Sequence, residues 1–320
     1  PEERVPVEIY TARNKSVVNV STLETKTYRF FRETAEGSGS GIVLNKAGVI
    51  LTNFHVISDA SKVEITLFNG QSYEAKVLAS DPNTDVAIVK IDAPADDLIP
   101  IEFGDSSKLL VGQTVYAIGN PFGLERTMTR GIVSNLNRSI GSPQMFRQIK
   151  GVIQFDAAIN PGNSGGVLLD SKGLMIGMNT AIASRSGENA GIGFAVPVNT
   201  IERIVKILLE EGKVVRGDAG VVKVTETDSG LTPVLIDVEG AADKAGLRGG
   251  KVIIEKAFPY NITRVTQPEE GFDLIVGVNG QETITGEEFI TAVEEHKPGE
   301  TIILNVVRDG KLIELPIVLK

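Results

Sequence analysis

The 320-residue chain contains no cysteine and only two histidines, His55 and His296. Without thiols there are no disulfides, no thiolate nucleophile and no Cys-ligated zinc, and two histidines far apart in sequence make any zinc site improbable. The redox compartment stays open, because a thiol-free chain survives in any of them. No run of about eighteen apolar residues occurs, so no membrane span is read. There is no cationic excess either: 32 Lys+Arg stand against 41 Asp+Glu, a net charge of −9, which argues against a protein that coats nucleic acid. No Walker motif is present, which excludes an ATP-driven machine of that type. The G-x-G of Gly37–Gly41 leads into a strand pattern, not a helix, and does not read as a nucleotide site. No cofactor and no metal are expected. The chain opens on Pro1, as expected of a processed or truncated form, which leaves open whether a signal peptide or anchor precedes it.

Hydrophobic residues (42%) and charged residues (23%) are balanced as in a packed globular protein, and the length suggests about two domains. From about residue 15 to 195 the pattern is of short Val/Ile-rich strands, such as Ser16–Val20, Gly41–Leu44, Val63–Leu67, Val86–Ile91, Thr114–Ile118, Gly131–Leu136 and Leu174–Thr180. Turns such as Phe68-Asn69-Gly70 separate them, and this spacing favours barrels or sandwiches. An amphipathic helix follows, with Asn199 as expected N-cap, Glu202 three residues on, an apolar face of Ile201, Ile204, Val205, Leu208 and Leu209, and Gly212 as stop. A second domain is expected over 213–320, with strands at Val221–Val224, Leu274–Val278, Thr301–Val307 and Leu312–Val318. It also holds a helix over 287–296 ended by Pro298-Gly299. It carries 18 acidic against 12 basic residues, most of the chain's net charge.

The chemistry is concentrated in Asn160-Pro161-Gly162-Asn163-Ser164-Gly165-Gly166. Glycines flanking a serine let the backbone turn sharply, uncover the hydroxyl and let amides converge beside it. Alone, the segment reads equally well as a β-turn. A serine hydroxyl needs a base, usually histidine, and His55 ends the apolar stretch Leu51–Val56. Asp85, just before the strand Val86–Ile91, is a carboxylate placed for partial burial; Asp81 reads more as a turn cap. The chain order His55, Asp85, Ser164 is that of chymotrypsin-like double barrels, not of subtilisin or the α/β-hydrolases.

On these residues the sequence resembles the HtrA/Deg serine proteases. The matching blocks are Gly37–Gly41, Leu51–Val56, Thr84–Ile91, Gly119-Asn120-Pro121-Phe122-Gly123, Asp156–Gly166, Asn179-Thr180-Ala181-Ile182 and Gly191–Pro197, all in family order. The resemblance implies a mostly β fold: a chymotrypsin-like double six-stranded β-barrel over 1–212, with an N-terminal assembly segment of about 20 residues, followed by a C-terminal α+β PDZ-like domain over 213–320. It implies Ser164 as nucleophile, His55 as general base and then acid, Asp85 as the group that orients the imidazole, and the amides of Gly162 and Ser164 as oxyanion hole. In such proteases the segment 160–164 is also where resting forms are switched. A neutral base is required, so activity is expected to fall in acid, below about pH 6–7 for an imidazole.

Where trypsin-type enzymes carry an Asp six residues before the nucleophile, this chain has Ala158, so a basic residue finds no counter-ion. The resemblance lines the pocket with Ile159 and Ile182, and makes Asn179, Thr180 and Ala181 a strand that pairs with substrate backbone. Cleavage after small or medium aliphatic residues of unfolded polypeptides is expected, with broad selectivity because a methylene is worth only about 1–3 kcal/mol.

In the second domain, Ala241–Leu247, Val276–Gly280 and Asn305–Gly310 resemble a PDZ domain. Its carboxylate loop, however, reads Asp218-Ala219-Gly220-Val221, lacking the large apolar residue and gaining an acid, and the stretch 250–271, with Phe258-Pro259-Tyr260, is longer than usual. Binding of peptide C-termini is therefore expected to be altered or reduced. His296 reads as a surface residue, and Phe30-Phe31 as a loop or partner contact. The resemblance further implies a homotrimer, or a multiple of trimers, and an extracytoplasmic setting such as a bacterial periplasm, cell envelope or organelle lumen. The leading reading is an ATP-independent serine endopeptidase of protein quality control and stress response. Alternatives are a chaperone-like peptide-binding assembly or a regulatory protease with one substrate, its proteolysis normally silent. The intact trio favours catalysis, since drift is free to remove any member from a dead scaffold.

Overall fold

The computed structural model describes residues 3–27, 32–121, 126–141, 148–160, 162–180, 191–257, 260–268 and 271–320. Phe30-Phe31, Phe122-Gly123, Pro161, Ala181, Ile182 and Phe258-Pro259 lie outside them. The chain forms two compact units, Pro1–Val214 and Val215–Lys320.

The first unit opens with helix α1 (Arg4–Arg13), which the strand-seeking reading missed, its apolar content being slight. Two six-stranded barrels follow. The first contains β1 (Val17–Thr27), β2 (Arg32–Val43), β3 (Val49–Thr52), the one-turn helix α2 (Phe54–Ile57), β4 (Lys62–Thr66), β5 (Ser72–Asp81) and β6 (Val86–Lys90), closed in the order β1-β2-β3-β6-β5-β4. The second contains β7 (Thr114–Gly119), β8 (Thr127–Gly141), β9 (Gln148–Phe155), β10 (Val167–Leu169), β11 (Met175–Thr180) and β12 (Gly193–Pro197), closed as β10-β11-β12-β9-β8-β7.

Some strands are apolar without alternation, and the packing explains why. In β3, Ile50 faces the interior of the first barrel while Val49 and Leu51 join a separate cluster with Ile118, Val167, Leu169 and Met178 of the second. In β6, Ala87 and Val89 face inward while Val86 and Ile88 join that same shared cluster. Strands covered on both faces need apolar residues at every position, and each fully buried aliphatic side chain adds about 1.5–3 kcal/mol. The seam between the barrels is thus a core in its own right.

Helix α3 (Val198–Glu211) closes the unit, burying Val198, Ile201, Ile204, Val205 and Leu208. Gly212, at φ 74°, ends it and donates to Leu208 O at 3.0 Å. Asn199 is not the N-cap; Pro197 is. The Asn199 side chain instead accepts from the Ser106 amide (2.9 Å) and donates to Asp105 (3.0 Å), partners 93–94 residues away that no local pattern reveals. Leu209 is about half exposed, off the buried face.

The second unit is an eight-stranded sheet with two helices. Its elements are β13 (Val221–Thr227), β14 (Gly230–Ile236), α4 (Ala241–Lys244), β15 (Lys251–Ala257), β16 (Tyr260–Thr266), β17 (Leu274–Val278), β18 (Gln281–Glu282), α5 (Gly286–Glu294), β19 (Thr301–Arg308) and β20 (Lys311–Val318). The order is β16-β15-β14-β17-β19-β20, with β13 on β14 and β18 on β17. Phe289 and Val293 of α5 are buried with Leu231, Ile275, Ile302, Leu304 and Val306. Buried Asp273 takes both nitrogens of a fork from Arg308 (2.8 and 2.7 Å) and the Arg248 amide (2.8 Å). His296 is partly exposed and bonded to Asn279 at 2.9 Å.

Helix α5 begins with a reciprocal cap. Thr285 Oγ1 accepts the Glu288 amide (3.2 Å), and the Glu288 carboxylate accepts those of Ile284 and Thr285 (2.9 and 3.1 Å). The latter two amides, Ile284 first, hold the Glu288 carboxyl below its ordinary value. A lowered folded-state value means that its contribution is present above the ordinary carboxylate range and lost as pH falls through the lowered one. Thr285→Ala should cost the second unit about 1 kcal/mol, read by urea unfolding at neutral pH; an unchanged midpoint would remove the cap from the account.

Candidate active site

Five donors converge on one residue. Asp85 stands at the start of β6 with φ 57°, the left-handed region that aspartate tolerates better than most side chains. Its carbonyl accepts the Phe54 amide at 3.2 Å and Asn53 Nδ2 at 3.1 Å. Its carboxylate accepts the His55 amide on Oδ1 (2.9 Å), and His55 Nδ1 (2.8 Å) and Thr180 Oγ1 (2.9 Å) on Oδ2. The carboxylate is 2% exposed and the His55 side chain 18%, so the pair works at the edge of solvent, with the acid inside. An ionised carboxylate can only accept, so Nδ1 carries the imidazole proton and Nε2 is left with its lone pair.

The Ser164 segment is joined to this pair through β2. The Ser40 amide donates to Ser164 O (2.7 Å), and Ser40 O accepts Thr52 Oγ1 (2.7 Å), three residues before His55. Ser40 Oγ donates to Gly162 O (2.6 Å) and accepts the Asn120 amide (2.8 Å). One small residue therefore ties the Ser164 turn, the His55 strand and the second barrel together. Glycine is required beside it: Gly165 has φ 81°, and a Cβ there would run into Ser40 O and Thr52 Oγ1. At Gly39 a Cβ would meet the side chain of Val56, the neighbour of His55. Ser164 itself is 5% exposed.

The Ser164 turn is held from within by the Asn163 amide on Asn160 O and the Gly166 amide on Asn163 O, both 3.0 Å. The Gly165 amide donates to Asn179 O (2.9 Å) and Asn179 N to Gly166 O (2.8 Å). Gly162, at φ 92°, lies against Pro121.

One expectation changes. Asn179 is fully buried, and both of its backbone groups are committed to the Ser164 turn, so it cannot pair with a substrate. Thr180 is also fully buried, and its hydroxyl serves Asp85, a role for a residue 95 positions away that no local pattern reveals and that leaves the backbone pairing expected of it untouched. Ala181, expected in the same strand, and Ile182, expected in the pocket, lie outside the described residues. Ile159 is 9% exposed, packed among Phe155 and Ala157 and beside Gly193, where a Cβ would approach its side chain. Among the described residues no group of His, Asp and Glu could hold a metal ion.

Residues 39–178 match the model of the trypsin-like peptidase domain. The chain is 41% identical over 323 residues to "Protease Do-like 1, chloroplastic" of Arabidopsis thaliana, covering 96% of this chain and 70% of that protein. It is 39% identical over 280 residues to "Probable periplasmic serine endoprotease DegP-like" of Chlamydia trachomatis, covering 87% of this chain and 53% of that one, so it spans about half the length of that relative. Among solved structures, an "HtrA-type protease AlgW with decapeptide" superposes with a TM-score of 0.71 at 30% identity, covering 98% and 97% of the two chains. The serine endoprotease from Yersinia pestis does so with a TM-score of 0.72, also at 30% identity and the same coverage.

Thr180→Val should leave the buried Asp85 carboxylate one donor short and cost about 1–3 kcal/mol, measured by denaturant unfolding. Thr180→Ser should recover most of it; equal losses in both variants would assign the effect to packing.

Proposed function

Because the chain belongs to the HtrA/Deg family of serine proteases, we propose that Ser164 is its nucleophile, His55 its general base and Asp85 the group that orients the imidazole. The observation that carries this is the double grip of Asp85 on His55, one oxygen on the ring and the other on the backbone of the same residue. That grip fixes the ring and its tautomer, keeping Nε2 basic for the Ser164 proton. Ser164 Oγ attacks the substrate carbonyl and the proton passes to Nε2. The imidazolium, stabilised by Asp85, then returns it to the leaving amine, and water repeats the cycle on the acyl-enzyme. The Gly162 and Ser164 amides are assigned to the oxyanion. Support comes from Gly162, whose φ of 92° lets the turn take a shape in which amides can converge on one point. Loss of one oxyanion donor typically costs about 10²–10³ in rate.

Ile159 forms an apolar wall, in our reading together with Ile182, and selects small or medium aliphatic residues before the cut. Unfolded polypeptides are the substrate class, since an extended chain is what such a cleft admits, and quality control without ATP is the role. A homotrimer and an extracytoplasmic or organellar setting complete the proposal. No described helix is long and apolar enough to cross a membrane.

We read the second unit as PDZ-like with weakened capture of C-terminal carboxylates. Asp218 Oδ1 accepts the Gly220 amide at 2.8 Å, so one N–H of the loop that would receive a carboxylate already holds one. Glu226 of β13 accepts the Gly286 amide of α5 at 2.8 Å, bridging strand and helix where a peptide would enter between them.

Casein hydrolysis should vanish in Ser164→Ala, and cleavage sites in denatured protein should follow Val, Ala, Ile or Leu. A dominant Lys/Arg preference before the cut would overturn the pocket assignment. The Ser164→Ala chain titrated with apolar C-terminal peptides should show no micromolar binding, whereas Asp218→Tyr with Ala219→Leu should gain it. Micromolar binding by the parent loop would sink the weakened-capture reading.

A further inference from the structure

A cavity of about 520 Å³ opens on the outer face of the first barrel, lined by Ser21, Leu23, Glu36, Ser38, Lys62 and Glu64 among others. The register shows why these side chains share a face. Across β1, Ser21 is opposite Ser38 on one side and Glu64 on the other, and Leu23 is opposite Glu36 and Lys62. The alternate residues Val18 and Val20 point into the barrel core. One end of the cavity adjoins the Ser164 turn. There, buried Asn19 donates to Ser38 Oγ, Gly39 O and Asn120 O (3.1, 3.3 and 2.9 Å), and Ser38 donates to Pro121 O (2.6 Å). Pro121 in turn packs on Gly162, and the next residue pair along β2 is Gly39-Ser40, bonded to Ser164.

The described residues assigned to the acyl side of the cleft, Ile159 and Thr180, belong to the second barrel. A substrate crossing Ser164 from that side leaves over the first barrel, along β2 from Ser40 toward Glu36. Four residues of strand cover about 13 Å at ~3.3 Å each, so an extended substrate reaches Glu36 with about its fourth residue. Ser38 is reached with about its second, with Glu64 two strand spacings to the side. The charges in the cavity are Glu36, Glu64 and Lys62, and the Lys62 ammonium leans toward Glu74 at 3.7 Å, opposite Glu64 in the β4–β5 pairing. Two carboxylates against one ammonium, itself drawn toward Glu74 outside the lining, leave an acidic trough with room for a long side chain.

We propose that this cavity is the leaving-group subsite of the protease and that Glu36 and Glu64 select polypeptides with Lys or Arg at the second to fourth residue beyond the scissile bond. This rests on the serine protease reading of Ser164 and adds a charge rule to it. A cation is thus disfavoured before the cut, where Ala158 offers no counter-ion, and welcomed after it.

The test uses the full chain and quenched-fluorescence peptides with Val before the cut and Lys, Gln or Glu at the second, third or fourth position after it. Lys should exceed Gln in kcat/KM by about two- to fivefold at low ionic strength, as for exposed charge pairs, with Glu lowest. The advantage should shrink in about 0.5 M salt. Glu36→Lys combined with Glu64→Gln should bring the Lys-to-Glu ratio to one or below. Equal kcat/KM for all three peptides, or a ratio untouched by the double variant, overturns the subsite. Anisotropy of the same peptides on Ser164→Ala separates the two levels: charge-ordered binding without cleavage by the parent retains the subsite and removes the catalytic reading, whereas charge-blind binding removes the subsite.

Discussion

The site depends on how a single buried carboxylate is held. Asp85 is an acid almost wholly removed from water and set at a backbone conformation that side chains seldom adopt. Such a group persists only if its oxygens are satisfied, and here the donors come from α2, from the imidazole and from β11 of the other barrel. Satisfying the carboxylate and orienting His55 are therefore one event. Any change that pulls the barrels apart unbinds Thr180 from Asp85 before it disturbs the His55 contact directly.

Ser40 plays the corresponding part for the nucleophile. Its backbone reaches Ser164 and Thr52, its hydroxyl reaches Gly162 and Asn120, and none of these bonds involves a side chain charge. A neutral, short residue flanked by glycines can make this many close approaches because nothing projects from its neighbours. The apolar seam beneath, formed by β3, β6, β10 and β11, keeps these approaches in register.

Much of this was legible in the residues. The short strands, the final helix and the order His55, Asp85, Ser164 follow from local pattern and chain order, and both barrels and the second sheet agree with that reading. What escaped was non-local or locally quiet. Helix α1 has little apolar content, so periodicity says nothing about it. The start of α3 is hidden because Asn199 looks like a cap, whereas its side-chain amide serves Asp105 and Ser106 far along the chain. Asn179 reads as part of a substrate strand because its sequence context is one; only the fold reveals that it braces a turn, and that the hydroxyl of Thr180 beside it feeds a carboxylate. The acidic face of β1, β2 and β4 was invisible for the same reason, since Glu36 and Glu64 become neighbours only through strand pairing.

The contrast between Ser164 and Gly165 bears on how such a chain can decay. The serine side chain can be trimmed with little effect on the backbone, because its carbonyl, not its hydroxyl, holds the turn to Ser40. The glycine has no such latitude, since any added carbon collides with Ser40. A lineage released from selection for hydrolysis would thus shed the hydroxyl early and retain the glycine, arriving at a silent but well-folded descendant whose turn still carries the imprint of the lost reaction.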